Sequence, residues 1–153
     1  MIVYSDSRQK PIQNSHITMS LVEQGYEVVR QKLDVGDYMF PDSKISVDTK
    51  QDMLEVYSNV VQDHKRFARE CQRAKDSGIK LVVLIADDQI TQLADVFTWK
   101  NPRRFYSKKA LPGKTVAKIM FSMQEKYGVE FQFATKDEIG NRVIEILKSE
   151  VVD

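Results

Sequence analysis

Residues 34–50, DVGDYMFPDSKISVDTK, constrain this chain more than any other part of it. Two runs in which apolar and polar residues alternate, 35–40 and 45–50, flank a Pro-Asp-Ser-Lys turn. That is the pattern of a β-hairpin. With the turn centred on Asp42 and Ser43, opposed residue numbers sum to 85, which sets Asp37 opposite Asp48 and Val35 opposite Lys50. Alternation then puts Asp37, Asp48 and Lys50 on one face, and Tyr38, Phe40, Ile45 and Val47 on the other. Opposed Cβ atoms lie roughly 4.5–5.5 Å apart, so two carboxylates placed there repel each other. A hard divalent cation with oxygen ligands is the best relief. A lysine beside two carboxylates at such a cation is the arrangement of metal-dependent phosphodiester hydrolysis.

The same residues resemble the signature of the PD-(D/E)XK nucleases, here Asp37 followed by Asp48-Thr49-Lys50. The flanking sequence is similar to the XPF-type (ERCC-family) nuclease domain of structure-specific endonucleases. That family opens on a strand ending in Asp-any-Arg, matched by Asp6-Ser7-Arg8. A helix, a glycine and a Gly-Asp-Tyr segment after a leucine follow, matched by Gly25 and residues 33–38. Its Val-Glu-Arg-Lys strand end corresponds to residues 47–50, and an Arg-Phe pair in its long helix to Arg66-Phe67. Asp48 stands where the family usually has Glu, and Thr49 where it has Arg. Its acidic residue shortly after the lysine has no counterpart at that spacing, because Asp52 comes too early and Glu55 one position late.

The resemblance covers residues 1–90 closely and 90–153 weakly. It implies one nuclease domain with a restriction-endonuclease-like α/β fold, a mixed β-sheet flanked by helices. It also implies a metal-dependent DNA endonuclease, structure-specific on branched or partly single-stranded DNA. Mg²⁺ or Mn²⁺ would be held by Asp37 and Asp48, with Asp6 either a third ligand or a carboxylate behind them, and with Lys50 positioning or deprotonating the attacking water or steadying transition-state charge. Arg8 and Arg66 would grip flanking phosphates, and two chains would pair as a homodimer. The competing readings are a degenerate nuclease fold kept as a DNA-binding or scaffold subunit, and a structural α/β domain whose hairpin charges are solvated. The persistence of Asp6, Asp37, Asp48 and Lys50 favours activity over the first, and the opposition of Asp37 and Asp48 with an apolar reverse face disfavours the second.

The rest of the chain fits a domain of 153 residues with 42% hydrophobic and 29% charged residues, the composition of a globular protein. Its longest apolar run, 81–86, is too short to cross a membrane, and a cytoplasmic location is expected. Residues beyond 100 lack the repeated glycine-containing hairpins of helix-hairpin-helix modules, so a bare nuclease domain of phage or bacterial type is expected. One cysteine, Cys71, excludes an internal disulfide and reads as a small buried residue.

Net charge is only +1, but its distribution is uneven. Residues 97–123 contain no acid and seven cations: Lys100, Arg103, Arg104, Lys108, Lys109, Lys114 and Lys118. Trp99, Phe105 and Tyr106 are interleaved with them, as in a surface that binds phosphates and stacks on unpaired bases. Arg66, Arg69 and Arg73 form a second basic stripe at helical spacing, suited to a phosphate backbone or to solvent. His64 falls on the apolar stripe of the same helix and reads as a packing histidine. Periodicity predicts strands at 2–5, 26–33, 80–86 and 129–134 around the hairpin, with 26–33 running into it as a three-stranded meander. Helices are expected at 15–24, 51–77, 89–97, 112–127 and 137–149.

Overall fold

The computed structural model describes residues 1–149. Strands β1 (Ile2–Asp6), β2 (Glu27–Gln31), β3 (Tyr38–Met39), β4 (Ile45–Lys50), β5 (Lys80–Ala86) and β6 (Glu130–Ala134) form one sheet. Their order is β2-β1-β3-β4-β5-β6, and only β3 runs antiparallel to its neighbours. The apolar sequence of β5 explains its central place. Leu81, Val83 and Ile85 enter one core while Val82, Leu84 and Ala86 enter the other. Burying such a side chain on either face contributes roughly 1.5–3 kcal/mol.

Helices cover both faces. Helix α1 (Ser15–Glu23) and α5 (Ile139–Lys148) pack over Val47 and Val82. Helices α2 (Met53–Tyr57), α3 (His64–Asp76) and α4 (Gly113–Tyr127) pack over Val83 and Ile85. Chirality accounts for the division. From the middle of the sheet the chain steps outward one way through β4, β5 and β6, and the other way from β1 to β2. Right-handed crossovers in opposite directions put α1 on one face and α2, α3 and α4 on the other, while α5, which follows the last strand, returns over the α1 face. This is the expected mixed α/β sheet flanked by helices.

The hairpin takes the expected register, with Tyr38 paired to Val47 and the Asp37 amide donating to the Val47 carbonyl at 2.8 Å. Its extent differs from expectation. Gly36, at φ +75°, turns the chain away, and a Cβ there would lie 2.0 Å from Ser46 Oγ. Ser46 Oγ donates to the Val35 carbonyl at 2.7 Å, so Val35 is held beside Ser46 rather than opposite Lys50.

Several other expectations are corrected. The meander does not form, because β2 pairs with β1 on the side away from β3. The helix expected over 51–77 is divided by a π-helical segment, Ser58–Gln62. Residues 89–97 do not make an α-helix. Asp87 Oδ1 accepts from the amides of Gln89 and Ile90, and a 3₁₀ helix follows at Leu93–Thr98. His64 is exposed, its Nδ1–H donating to the Val60 carbonyl at 2.8 Å. No helix among the described residues is long and apolar enough to cross a membrane.

Two glycines with similar torsions give a test. Gly78 has φ +69° and open space where a Cβ would stand, whereas Gly36 has both strain and the Ser46 clash. Gly78→Ala should cost about 1–2 kcal/mol from torsion alone. Gly36→Ala should cost about 1–3 kcal/mol more, the range for overpacking. Urea unfolding of the two variants measures the difference, and equal losses would show that Ser46 simply yields.

Candidate active site

The topology gathers the hairpin chemistry at one edge of the sheet. Strands β1, β4 and β5 are parallel, so Asp6, Lys50 and Ala86 end together. Because β3 is antiparallel, its beginning, and therefore Asp37, lies at that same edge. Ligand sites of α/β sheets form where strands end and the chain changes its outward direction. Here that point lies between β1 and β4.

A cleft of about 530 Å³ opens there, lined by Asp6, Arg8, Asp37 and Lys50 from the sheet side. Asn59, Asp63, Arg66, Arg69, Glu70 and Arg73 line it from the helical side. A polar groove of about 940 Å³ continues past Lys50 toward Lys10, His16 and Lys136. The stripe of Arg66, Arg69 and Arg73 thus faces the cleft. Lys100, Arg104, Lys108 and Lys109 are exposed on a separate loop outside it. Arg103, on the same loop, reaches Ser58 Oγ at 3.3 Å.

Asp37, which lines both the cleft and the groove, and Asp48, which lines the groove, are neighbours. Asp37 Oδ2 accepts from the Thr49 amide at 2.8 Å and the Thr49 hydroxyl at 3.2 Å. Burial, and next the Asp48 carboxylate, raises the Asp37 pKa well above its ordinary 3.8, against the opposing pull of Thr49 and Lys50. Asp48 is 6% exposed. Its Oδ2 lies 3.1 Å from Lys50 Nζ, an ion pair whose alignment leaves that oxygen without a hydrogen bond. Burial depresses the Lys50 ammonium, but Asp48, Asp37 and Glu55 outweigh it and raise its pKa above 10.5. Lys50 Nζ also sits 5.8 Å from the centre of the Phe67 ring. The site is therefore a charged lysine against two carboxylates, one of which resists ionisation.

Asp6 is engaged differently. Its carboxylate accepts from Arg8 Nε at 3.1–3.2 Å and from the Leu33 amide at 3.0 Å, while the Asp6 amide donates to the Asp37 carbonyl at 2.8 Å. It fastens Arg8 and the 33–37 loop at the mouth of the cleft. Among the described residues, no three His, Cys, Asp or Glu side chains gather as a metal cluster. Asp37 and Asp48 nevertheless suit a magnesium-like ion, which is commonly held by one or two carboxylates together with water and phosphate oxygens. The buried Asp48 oxygen without a hydrogen bond is the observation that favours this.

Sequence reasoning missed three contributors. Glu70 Oε2 accepts from the Gly36 amide at 3.3 Å, fixing the turn that presents Asp37, and burial followed by Asp48 raises its pKa above 4.5. Asn59 reaches the cleft from the π-helical segment, and its buried Oδ1 has no partner. π-Bulges recur at functional sites because the extra residue redirects a side chain. Thr49 orients Asp37 through its amide and its hydroxyl, a contact that strand alternation does not announce. Asp52 and Glu55 serve the start of α2 instead, with Asp52 Oδ1 accepting from the Glu55 amide at 2.9 Å and Glu55 accepting from the Gln51 amide at 3.0 Å. Trp99 is half-buried, its ring 6.3 Å from that of Tyr57, and so is not a free stacking surface. Cys71 is buried, which lifts its thiol pKa to about 12 and leaves it inert.

The family and the fold follow from comparisons to known proteins. The sequence matches the ERCC4 domain over residues 5–145. The fold is similar to that of XPF from Aeropyrum pernix, with TM-score 0.68 and 14% identity, over 97% of this chain and 64% of that one. A structure of XPF from Aeropyrum pernix in complex with DNA gives TM-score 0.65 and 18% identity, over 99% and 68%. The chain thus spans about two-thirds of the length of those relatives. No curated protein matches the sequence. With the hairpin, its carboxylates and its lysine all within the matched segment, the chain belongs to the ERCC4-domain family of XPF-type nuclease domains.

Proposed function

We propose that this domain is a DNA endonuclease, hydrolysing a phosphodiester with Mg²⁺ or Mn²⁺ held by Asp37 and Asp48. The observation that carries the proposal is the opposition of those two carboxylates, with Lys50 against Asp48, where the arginine-lined cleft meets the polar groove beyond it. A bound divalent cation would supply Lewis acidity toward the phosphate and lower the pKa of water. The chain's own residues do the remainder. Thr49 and Glu70 fix the presentation of Asp37. Lys50, held against Asp48, positions or deprotonates the attacking water or steadies the anionic oxygen of the transition state. Arg8, oriented by Asp6, and Arg66, Arg69 and Arg73 along α3 hold flanking phosphates. Water is the nucleophile, so none is required of the protein.

Branched or partly single-stranded DNA is the favoured substrate. The separate basic loop at 100–109 supports this, since a simple duplex laid in the cleft has no need of it. A homodimer would present two clefts to the two strands of one DNA.

Asp48→Asn removes charge without volume and should abolish cleavage of a labelled fork in Mg²⁺ while leaving the circular dichroism spectrum unchanged. Lys50→Ala should slow cleavage by about 10²-fold or more and leave affinity in Ca²⁺ nearly as it was. Parallel loss of binding and cleavage would make Lys50 a binding residue only. A protein that binds DNA with no cleavage in any divalent metal would be the scaffold subunit instead.

The arginine stripe makes a separate expectation. Replacing Arg66, Arg69 and Arg73 with glutamine should weaken binding to all sequences alike. The slope of log affinity against log salt should become shallower by about 0.9 for each duplex phosphate no longer neutralised. An unchanged slope would return the stripe to solvent.

A further inference from the structure

The basic segment after the 3₁₀ helix Leu93–Thr98 is a loop with a built neck. Asn101 is 3% exposed, its Nδ2 donating to the Leu111 carbonyl at 2.9 Å and its Oδ1 accepting from the Arg103 amide at 3.0 Å. The Leu111 amide donates to the Tyr57 hydroxyl at 3.0 Å. The Arg103 guanidinium lies 5.8 Å from the centre of the Tyr57 ring. At the foot of the loop, a Cβ on Gly113 would meet the Trp99 carbonyl at 2.4 Å, so the two ends are closed tightly.

The tip is the opposite of its neck. Phe105 is 86% exposed and Tyr106 92%, with Arg104, Lys108 and Lys109 exposed beside them. Two adjacent uncovered rings on a rigid stem forgo the burial that large aromatic side chains ordinarily take. The surrounding charge says what covers them. Arg104, Lys108 and Lys109, in a stretch with no acidic residue from 97 to 123, are complementary to a polyanion. A second copy of the chain docked through this tip would bring the same cations together and be repelled.

We propose that Phe105 and Tyr106 are a stacking platform for unpaired bases of the DNA strand whose phosphodiester enters the cleft. The proposal rests on the DNA-hydrolysing reading of that cleft and specifies how its substrate is chosen. Bases in an intact duplex keep their faces within the stack, whereas those of a single-stranded arm expose them, and every base offers a π-face to an aromatic ring. The flanking cations take the phosphates between the stacked bases. The stem connects this selection to the chemistry. Arg103 holds Ser58, and the next residue, Asn59, lines the cleft with Asp37 and Lys50. The stem of the loop is thereby tied to the segment that lines the cleft.

The test uses a forked DNA carrying 2-aminopurine in its unpaired arm and a fully paired duplex of the same length, both in Ca²⁺. Wild-type protein should quench the 2-aminopurine, and the Phe105→Ala/Tyr106→Ala variant should not. Affinity for the fork, read by anisotropy, should fall about tenfold or more in that variant, while duplex affinity moves by less than about twofold. Phe105→Trp/Tyr106→Trp should retain the quench. Equal effects on fork and duplex, or no effect on either, would overturn the platform while leaving Mg²⁺-dependent cleavage to be judged by itself. Unchanged DNA binding with loss of a concentration-dependent dimer in sedimentation would assign the tip to a second copy and also overturn the proposal. A wild-type protein that binds neither DNA would remove both this proposal and the nuclease reading.

Discussion

The opposition of Asp37 and Asp48 across one hairpin is the constraint on which the rest of this structure depends. A register that pairs Tyr38 with Val47 brings the next two residues, both acidic, to the same point. Metal-free, the pair is costly. Burial and mutual repulsion keep Asp37 above its ordinary pKa, and the buried Oδ2 of Asp48 has the Lys50 ammonium as its ionic contact. Nothing in packing asks for this, because Tyr38, Phe40, Ile45 and Val47 on the reverse face complete the apolar core without it. Local cost retained where the surrounding fold is over-determined is the mark of a functional site.

The surrounding elements hold the pair in place. Gly36 turns the chain into Asp37 and is itself held by Glu70 from α3, while Thr49 takes one Asp37 oxygen with two hydrogen bonds. Lys50 is the single cation in direct ionic contact with Asp48 among the described residues. Around this centre the chain places arginines in two roles. Arg8 is bound to Asp6 and pointed into the cleft, whereas Arg66, Arg69 and Arg73 line it from one helix. Farther out, the loop carrying Phe105 and Tyr106 is joined through Arg103 and Tyr57 to the π-helical segment that contributes Asn59.

Much of this was legible because it is local. The Pro-Asp-Ser-Lys turn and the period-two alternation fix the hairpin register, and the register fixes which side chains meet. The apolar run of β5 declares a strand buried on both faces. The clustering of Arg66, Arg69 and Arg73 follows from helical spacing alone, although which way the stripe faces does not. What stayed hidden depends on tertiary choices. Strand periodicity does not name a partner, so β2 beside β1 and not beside β3 was invisible. One extra residue in a helical turn leaves composition unchanged, so the π-helical segment, and with it Asn59 and the outward turn of His64, could not be read. Glu70 looked like one more charge on a polar helix until the fold carried Gly36 to it. Trp99 and Phe105 are alike in sequence, and only the neck formed by Asn101 and Leu111 turns one inward and the other out.

The central claim is that Asp37 and Asp48 are opposed for the sake of a cation, and thermal unfolding of wild type and Asp37→Asn in EDTA and in Mn²⁺ tests it most directly. A carboxyl whose folded pKa is raised stabilises the fold below its ordinary 3.8, and that contribution is lost as pH rises through the folded value. Above that value, then, ionised Asp37 is a burden on the fold in EDTA. Asparagine keeps the bond from the Thr49 amide and offers Asp48 a donor. The account predicts that Asp37→Asn melts higher than wild type in EDTA, and that Mn²⁺ raises the melting point of wild type alone, as a ligand of the folded state must. A variant that melts lower than wild type in EDTA, with both proteins responding equally to Mn²⁺, would contradict it.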